Sequence, residues 1–184
     1  MGKYMLNPLV WLRRFRKRCG YGVHSPYAFS FITDVVYERS AYYAYKELDD
    51  LFPLWVSRLG LRPRKQARLL FRVANFAHPR RACVLGGSEA ERAHIQAAVP
   101  TAQWEEKLQD GELFDFLFLD EAVPDSLSHV GPDSVLVLSR LRDNLDYWKT
   151  LLADDRVVLS FDLYDVGILM FNKRFNRMDY VVNF

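Results

Sequence analysis

Cysteine is scarce in this sequence. The 184 residues include two, Cys19 and Cys83, and neither belongs to a Cys-x-x-Cys pair or lies beside a histidine at the spacing of a metal site. We therefore expect free thiols in a reducing cytoplasm and no metal site. Cys83 lies in an apolar run, where a cysteine usually serves as a small core residue.

Long apolar runs are also missing. None approaches the roughly 20 residues that a membrane-spanning helix needs. Residues 1–18 carry their charges after an apolar stretch and have no small-residue cleavage site, so we expect no secretory signal. The sequence is nevertheless 50% hydrophobic and 15% aromatic, which excludes a disordered chain. Its length suits one domain with a real core.

Acidic residues are absent from the first nineteen positions. That stretch carries six basic residues, which leaves −4 for the remainder of a chain whose net charge is +2: Lys3, Arg13, Arg14, Arg16, Lys17 and Arg18. A basic arm on a slightly acidic body suggests nucleic acid, an anionic membrane surface or an acidic partner. The apolar spacing over residues 8–18 also predicts an amphipathic helix that docks on the body along its arginine stems. Both interpretations remain open.

The hydrophobic periodicity changes near residue 81. Before it, we predict helices over residues 26–38, 41–59 and 64–76, with Ser25 as an N-cap, Pro26 in the first turn and a break near Pro53. After it, predicted strands cover residues 82–85, 102–107, 114–119, 134–138, 156–161, 167–171 and an edge at 180–184, with helices over 89–99 and 141–152. The alternation predicts one α/β domain, in which residues 1–80 form a helical N-terminal cap on a mostly parallel sheet in residues 81–184.

The segment over residues 82–98 (ACVLGGSEAERAHIQAA) organises this prediction. A short apolar run ends in Gly86 and Gly87, and a helix follows at Ser88. Strand, glycine turn and helix N-terminus form the usual cradle of a nucleotide-like ligand in α/β proteins. Asp120 follows the apolar run FDFLFL, at a strand end where such sheets bind ligands. The alternative is an exposed turn acid without a role.

Two further segments carry a resemblance to a family. Residues 20–29 (GYGVHSPYAF) and 157–171 (VVLSFDLYDVGILMF) resemble the class I S-adenosylmethionine-dependent methyltransferases, in particular a bacterial subgroup of small-molecule methyltransferases that begins with a GxGVHSPFxF-like segment. Residues 65–73 resemble the helix that precedes the first strand of those proteins. The resemblance implies a Rossmann-like, mostly parallel sheet that ends in an antiparallel strand pair, with S-adenosylmethionine as cofactor and a small-molecule methyl acceptor.

The resemblance also implies site residues. Gly86, Gly87 and Ser88 would hold the cofactor, Glu105 or Glu106 would supply the acid for the ribose hydroxyls, and Asp120 would act both at the cofactor and as the catalytic residue. His24 and Tyr27 would approach the substrate at the pocket mouth. For His24 the alternative is a structural turn histidine, and for the aromatic residues between 21 and 45 it is core packing.

Several departures from the family fall on the chemistry. Val84 stands where the first strand carries an acid, and Glu89 or Ala90 replaces the later glycine of the turn. Residues 100–113 are too few for the family's third strand and its crossover. Ser139 and Arg140 replace a pair of acids, which argues against a carboxylate-held metal.

Two hypotheses for function follow. The chain is either a divergent methyltransferase with a degraded cofactor site, or a non-catalytic binding or scaffolding module, a pseudoenzyme whose basic arm contacts anionic partners. Nucleic-acid binding through residues 11–18 would show a steep salt dependence and is not favoured. The sheet edge left by the missing strand is a candidate surface for a homodimer.

Overall fold

The computed structural model describes residue 14, residues 20–52 and residues 61–184 of the chain. The predicted helix over 8–18 (apart from Arg14), the break at Pro53 and the thiol of Cys19 lie outside these ranges. No helix within them is both long enough and apolar enough to span a bilayer.

Three helices precede the sheet. They are α1 (Pro26–Phe31), which continues as one π-helical segment over Ile32–Val36, α2 (Tyr43–Leu51) and α3 (Leu61–Ala77). Ser25 caps α1, as predicted, and its hydroxyl accepts from the backbone N–H of Ala28 at 3.4 Å. α3 begins three residues before the predicted start, because Pro63 falls in its first turn, where the missing N–H costs no helical hydrogen bond.

Seven strands form one sheet. They are β1 (Arg81–Leu85), β2 (Gln103–Glu105), β3 (Phe114–Leu119), β4 (Val130–Leu138), β5 (Leu159–Asp162), β6 (Gly167–Met170) and β7 (Met178–Val181), in the order β2-β1-β3-β4-β6-β5-β7. β6 is antiparallel to both of its neighbours, and the other pairs are parallel. The Rossmann-like, mostly parallel sheet with an antiparallel C-terminal pair is therefore confirmed.

Two α-helices follow the first and fourth strands. They are α4 (Glu89–Ala98) and α5 (Leu145–Leu152). A single 3-10 turn, Ser126–His129, precedes β4. α5 begins later than predicted, because the backbone N–H of Leu141 donates to Asp165 O at 2.9 Å. That bond ties the loop after β4 to the β5–β6 connection instead of starting a helix.

The sheet is covered on both faces. Alternate side chains of β1 and β3 enter different clusters, as expected for strands with a period of two. On one face Val84 and Phe118 pack with residues of α1, α3 and α4, and on the other Leu117 and Leu119 pack with Trp148 of α5. α2 packs against α3 and α4 through a smaller cluster around Tyr45. The continuous apolar strands are those of a sheet buried on both sides.

The two edge strands of the sheet are β2 and β7, and each lies within or beside a segment that was predicted as a strand. β2 is a three-residue edge strand, and no strand among the described residues lies outside it. Between β2 and β3, residues 106–113 form no further strand, as the shortened middle of the chain predicts. At the other edge, the C-terminal tail pairs with β5 as β7, and it does so in parallel.

Candidate functional site at the carboxyl end of the sheet

The glycine turn after β1 lies against the end of β3. Gly86 and Gly87 both have φ of +77°, a conformation that costs little only for glycine. A Cβ atom at Gly86 would lie 2.9 Å from the Cβ of Asp120, and one at Gly87 would lie 2.9 Å from Cε1 of Phe118. Both glycines are therefore required by backbone conformation and by space.

The N-terminus of α4 is closed by a capping box. The hydroxyl of Ser88 accepts from the backbone N–H of Glu91 at 3.3 Å, and Glu91 Oε2 accepts from the backbone N–H of Ser88 at 2.8 Å. The Glu91 carboxylate thus receives a hydrogen bond at the helix end where an anionic ligand would be held. It also lies 3.6 Å from the position that a Cβ of Gly87 would occupy.

The side chain of Gln66, in α3, forms a hydrogen bond with the Glu91 carboxylate. Gln66 Nε2 donates to Glu91 Oε1 at 2.9 Å and to the hydroxyl of Ser139 at 3.0 Å. Ser139 is buried just after β4. The amide therefore joins α3, α4 and the end of β4 over the glycine turn. In addition, Arg92 donates to Gly87 O at 2.7 Å, which occupies the turn's carbonyl.

Asp120 is paired with a cation. Its backbone N–H donates to Leu85 O at 3.0 Å, which continues the β1–β3 pairing to the carboxyl end. Its Oδ2 lies 3.3 Å from Nη2 of Arg140. The same nitrogen lies 3.7 Å from Oε2 of Glu121, and Nε of Arg140 donates to the backbone oxygen of Asp120 at 3.1 Å. Arg140 has φ of +47°, an uncommon conformation outside glycine and asparagine. Strained backbone therefore places this cation over the candidate catalytic carboxylate.

A second ionic cluster lies at the same end of the sheet, where β5 ends. Arg14 forms two hydrogen bonds with the Asp162 carboxylate, at 3.0 and 2.6 Å, and its side chain is 11% exposed. Arg142 lies 3.7 Å from the same carboxylate and 4.3 Å from the ring centre of Tyr164. Arg14 is thus ion-paired on the body.

The other predicted site residues lie elsewhere. Glu105 ends β2 opposite Cys83, and β1 runs on for two residues, about 7 Å, before the glycine turn begins. His24 is exposed, in the turn before α1. Tyr27 stacks on Phe175 with ring centres 4.1 Å apart and lines a different cleft.

The structure therefore brings together Gly86, Gly87, Ser88 and Asp120, but not the predicted ribose acid or substrate residues. No group of three or more histidine, cysteine, aspartate or glutamate side chains in the described part of the chain is arranged to hold a metal ion. Sequence reasoning missed Glu91 and Gln66. The pattern Ser-x-x-Glu at 88–91 is a capping-box signature and could have identified Glu91, whereas nothing local marks Gln66.

Comparisons with known proteins agree at the level of the fold. No family model and no curated protein matches the sequence. Among solved structures, the chain is similar to the O-methyltransferase TomG of Streptomyces achromogenes in complex with SAM, with 13% identity over 91% of this chain and 100% of that one, at a TM-score of 0.47.

Two further similar structures are an O-methyltransferase of Bacillus cereus in complex with SAH and the SAH-bound methyltransferase PaMTH1 of Podospora anserina. The first is 13% identical, and the match covers 77% of this chain and 96% of that one. The second is 15% identical, and the match covers 94% of this chain and 100% of that one. Both have a TM-score of 0.40. Such identities and TM-scores are too low to transfer a family or an activity.

Proposed function

We propose that this chain is a non-catalytic binding module on a class I methyltransferase-like fold. In it, side chains of the chain itself contact the glycine turn at which the cofactor would bind. The resemblance of residues 20–29 and 157–171 supports descent from a bacterial subgroup of small-molecule methyltransferases. On this proposal residues 1–184 form a single cytoplasmic domain, with residues 1–80 as its helical cap.

The Glu91 carboxylate carries the proposal. It is ionisable, it receives hydrogen bonds from Ser88 N, from Ser88 Oγ at 2.7 Å and from Gln66 Nε2, and it lies at the N-terminus of α4. S-adenosylmethionine would bring its own carboxylate toward this turn, where two like charges would repel each other. The residues of the turn therefore do not fit the cofactor.

The remaining polar groups fit it no better. Val84 is buried in the core, with 2% of its surface exposed, at the position that the family gives to an acid. Asp120 is engaged by Arg140, and Glu105 falls short of the turn. No acid among these residues is both free and adjacent to Gly86 and Gly87.

An active methyltransferase is the second candidate, and one observation favours it. The two glycines keep φ of +77°, and they keep the close approach of a cofactor turn to its neighbours, Gly86 to Asp120 and Gly87 to Phe118. A sheet that had lost every constraint on this turn would not need them. Proximity accounts for much of such a transfer, so the enzyme would need few catalytic side chains.

Cofactor binding separates the two candidates. Purified protein should show no melting shift with millimolar S-adenosylmethionine or S-adenosylhomocysteine, whereas a ligand at 100 times its Kd would stabilise the fold by about 2.7 kcal/mol. Glu91→Ala should permit weak binding by removing the competing carboxylate. Glu89→Ala is the matched control, because Glu89 is an exposed acid of the same helical turn. Saturable binding by the unmodified protein would contradict the proposal.

The proposed partner is anionic and contacts the basic arm. Arg14 is already paired with Asp162, so Arg16, Lys17 and Arg18 are the residues to test. Replacing these three with glutamine should lower the salt concentration at which the protein leaves a heparin column. Replacing Arg39, Lys46 and Arg80, which are exposed on the body, should have a smaller effect. Equal effects would contradict a specific role of the arm.

A further inference from the structure

A cleft of about 260 Å³ lies between α1, its π-helical continuation and the second half of α3. It is at the opposite end of the sheet from the glycine turn. Gln66 of α3 contacts the turn's network, whereas Phe76, ten residues further along the same helix, lines the cleft. Ten residues of helix span about 15 Å. The cleft is therefore separate from the site already described.

Aromatic rings form one wall of the cleft. The ring of Phe76 lies 5.1 Å from that of Phe31 and 6.2 Å from that of Tyr27, and Phe76 keeps 38% of its surface exposed. Tyr27 is held in turn by its stack on Phe175. The wall therefore presents fixed aromatic faces and edges to a ligand, with little ordering left to be done on binding.

A buried cation lies at the base of the cleft. Arg72 is 7% exposed and lines the cleft, and it donates to Val35 O at 2.6 Å and to Val36 O at 3.0 Å. Both carbonyls belong to the π-helical segment, a rare conformation that is frequent at functional sites. Within the described residues no carboxylate forms a salt bridge with Arg72, and its charge is offset by the two carbonyls and by a side-chain hydrogen bond with Tyr45.

A buried guanidinium without an anion is unfavourable, and a carboxylate that reached it would compensate it. The acids nearby do not fill this role. Asp34 is an exposed acid of the cleft lining whose carboxylate accepts from Thr33 Oγ1 at 2.7 Å. Glu38 is half-buried and is not part of the cleft lining, and the low pKa of its carboxyl comes first from hydrogen bonds with Ser40 and only last from Arg72. Neither acid forms a salt bridge with Arg72.

The volume limits the size of a ligand. An apolar cavity of about 150 Å³ is enough to bind benzene, whereas sites for drug-sized molecules start at about 300 Å³. A cleft of about 260 Å³ thus suits one ring with a short substituent.

We propose that this cleft binds a small aromatic carboxylate, with its ring against Tyr27, Phe31 and Phe76 and its carboxylate toward Arg72. The proposal does not depend on the proposed function, because the two sites share no residue. A protein that binds S-adenosylmethionine at the glycine turn could still bind an aromatic acid here, and the reverse also holds.

The test compares isosteric ligands on the full chain. Benzoate and phenylacetate are titrated beside benzyl alcohol and benzylamine, and binding is followed by amide chemical shifts in NMR and by melting temperature. The carboxylates should bind at least tenfold more tightly than the alcohol, with the largest shifts in α1 and in the second half of α3. No saturable binding of either carboxylate at millimolar concentration would overturn the proposal, and so would tighter binding of the amine.

Three variants locate the site. Asn75→Trp, at an exposed position of the cleft lining, should fill the cleft and abolish binding while the fold remains. Phe76→Ala should weaken binding about tenfold, because it removes one ring of the aromatic wall. Phe29→Ala removes an exposed ring of α1 that does not line the cleft, and it should leave binding unchanged. Benzoate affinity that survived Asn75→Trp would place the ligand elsewhere and overturn the proposal.

One further variant separates charge from shape. Arg72→Met keeps the stem but removes the cation, so benzoate should lose its advantage over benzyl alcohol. Because Arg72 also holds two carbonyls, this comparison is made as a ratio of two ligands on the same protein. Asp34→Asn should strengthen benzoate binding slightly; a loss of binding in that variant would overturn the assignment of an anion.

Discussion

Cys83 shows at the scale of one residue how burial controls chemistry. Its side chain is fully buried in β1, and burial, followed by the charges of Glu105 and Glu112, raises the pKa of its thiol to about 12. The thiolate is the reactive form of cysteine. A thiol with this pKa is almost entirely protonated at neutral pH and is shielded from reagents.

We expect Cys83 to resist alkylation in the native protein. In a Cys19→Ser variant, which leaves one thiol, labelling by an aromatic disulfide reagent at pH 8 should proceed only as fast as the protein unfolds. Adding denaturant should release the full amount at once. Rapid labelling without denaturant would show that β1 is more accessible than the fold allows.

His94 supplies a pH dependence of stability. It is 3% exposed in α4, its Nδ1 donates to Ala90 O at 2.7 Å, and its Nε2 has no hydrogen-bond partner among the described residues. Burial lowers the pKa of the imidazole below its usual value of 6.5, and the opposing contributions of the Ala90 carbonyl and Asp49 are smaller. Arg64 and Arg68 of α3 also disfavour the charged ring, and Tyr45 of α2 packs beside it.

The sign of the effect follows from proton binding. The unfolded chain takes up a proton at His94 near pH 6.5, while the folded chain takes it up only at lower pH. Stability from this group is therefore complete above pH 6.5 and falls as the pH drops toward the folded pKa, with a slope of at most about 1.4 kcal/mol per pH unit. Urea unfolding between pH 5 and 8 should show this fall, and His94→Leu should remove it. His24→Gln, at an exposed histidine, should leave it in place.

The glycine turn is the element in which sequence and packing agree most closely, and it permits a controlled comparison. Gly86, Gly87 and Gly111 have nearly the same φ, +77° to +79°, but a Cβ at Gly111 would meet no atom within 4 Å. Replacing Gly111 by alanine should cost about 1–2 kcal/mol, the left-handed penalty alone. Gly86→Ala and Gly87→Ala should cost more, because Asp120 and Phe118 must also move. Equal free energies of unfolding for the three variants would show that the turn is not tightly packed against β3.

Periodicity predicted most of the elements because burial determines them. The run FDFLFL became β3, since a strand covered on both faces must be apolar at nearly every position. The π-helical segment Ile32–Val36 could not be predicted from local sequence. Two of its carbonyls, Val35 O and Val36 O, accept hydrogen bonds from Arg72, which lies 37 residues after Val35. β4 extends back from the predicted start at Ser134 to Val130, and the Ser134 hydroxyl donates to Phe114 O at 2.6 Å across the β3–β4 pair.

The candidate site was predictable to the same extent. Local sequence identified Gly86, Gly87, Ser88 and Asp120, whose places follow from strand ends. It could not identify the residues that engage those positions, because Gln66 arrives from another helix and Arg140 depends on a strained backbone. The sequence therefore located the glycine turn and the strand ends, whereas the contacts that surround them depend on residues far along the chain.

At the scale of the whole molecule, β2 is one of the two edge strands of the sheet among the described residues. β2 pairs with β1 on one side, and on the other no described strand covers Gln103, Trp104 or Glu105. Trp104 is anchored inward, with its indole N–H donating to Val99 O at 3.3 Å, so the edge has a fixed geometry. Unpaired edge strands are templates for pairing with another chain. Two copies of one edge can pair about a twofold axis.

We expect a weak homodimer through β2, weak because three residues per edge offer few backbone hydrogen bonds. Sedimentation should show a monomer–dimer equilibrium in which the dimer fraction rises with protein concentration. Gln103→Glu would place an acid opposite Glu105 of the other copy across the twofold axis and should yield a monomer, whereas Gln109→Glu, an exposed loop position outside β2, should not. A wild-type protein that stays monomeric at the concentrations of an NMR sample would contradict the dimer. In that case the brevity of β2 would itself be what keeps the edge from pairing, since short edge strands are one way in which proteins prevent association.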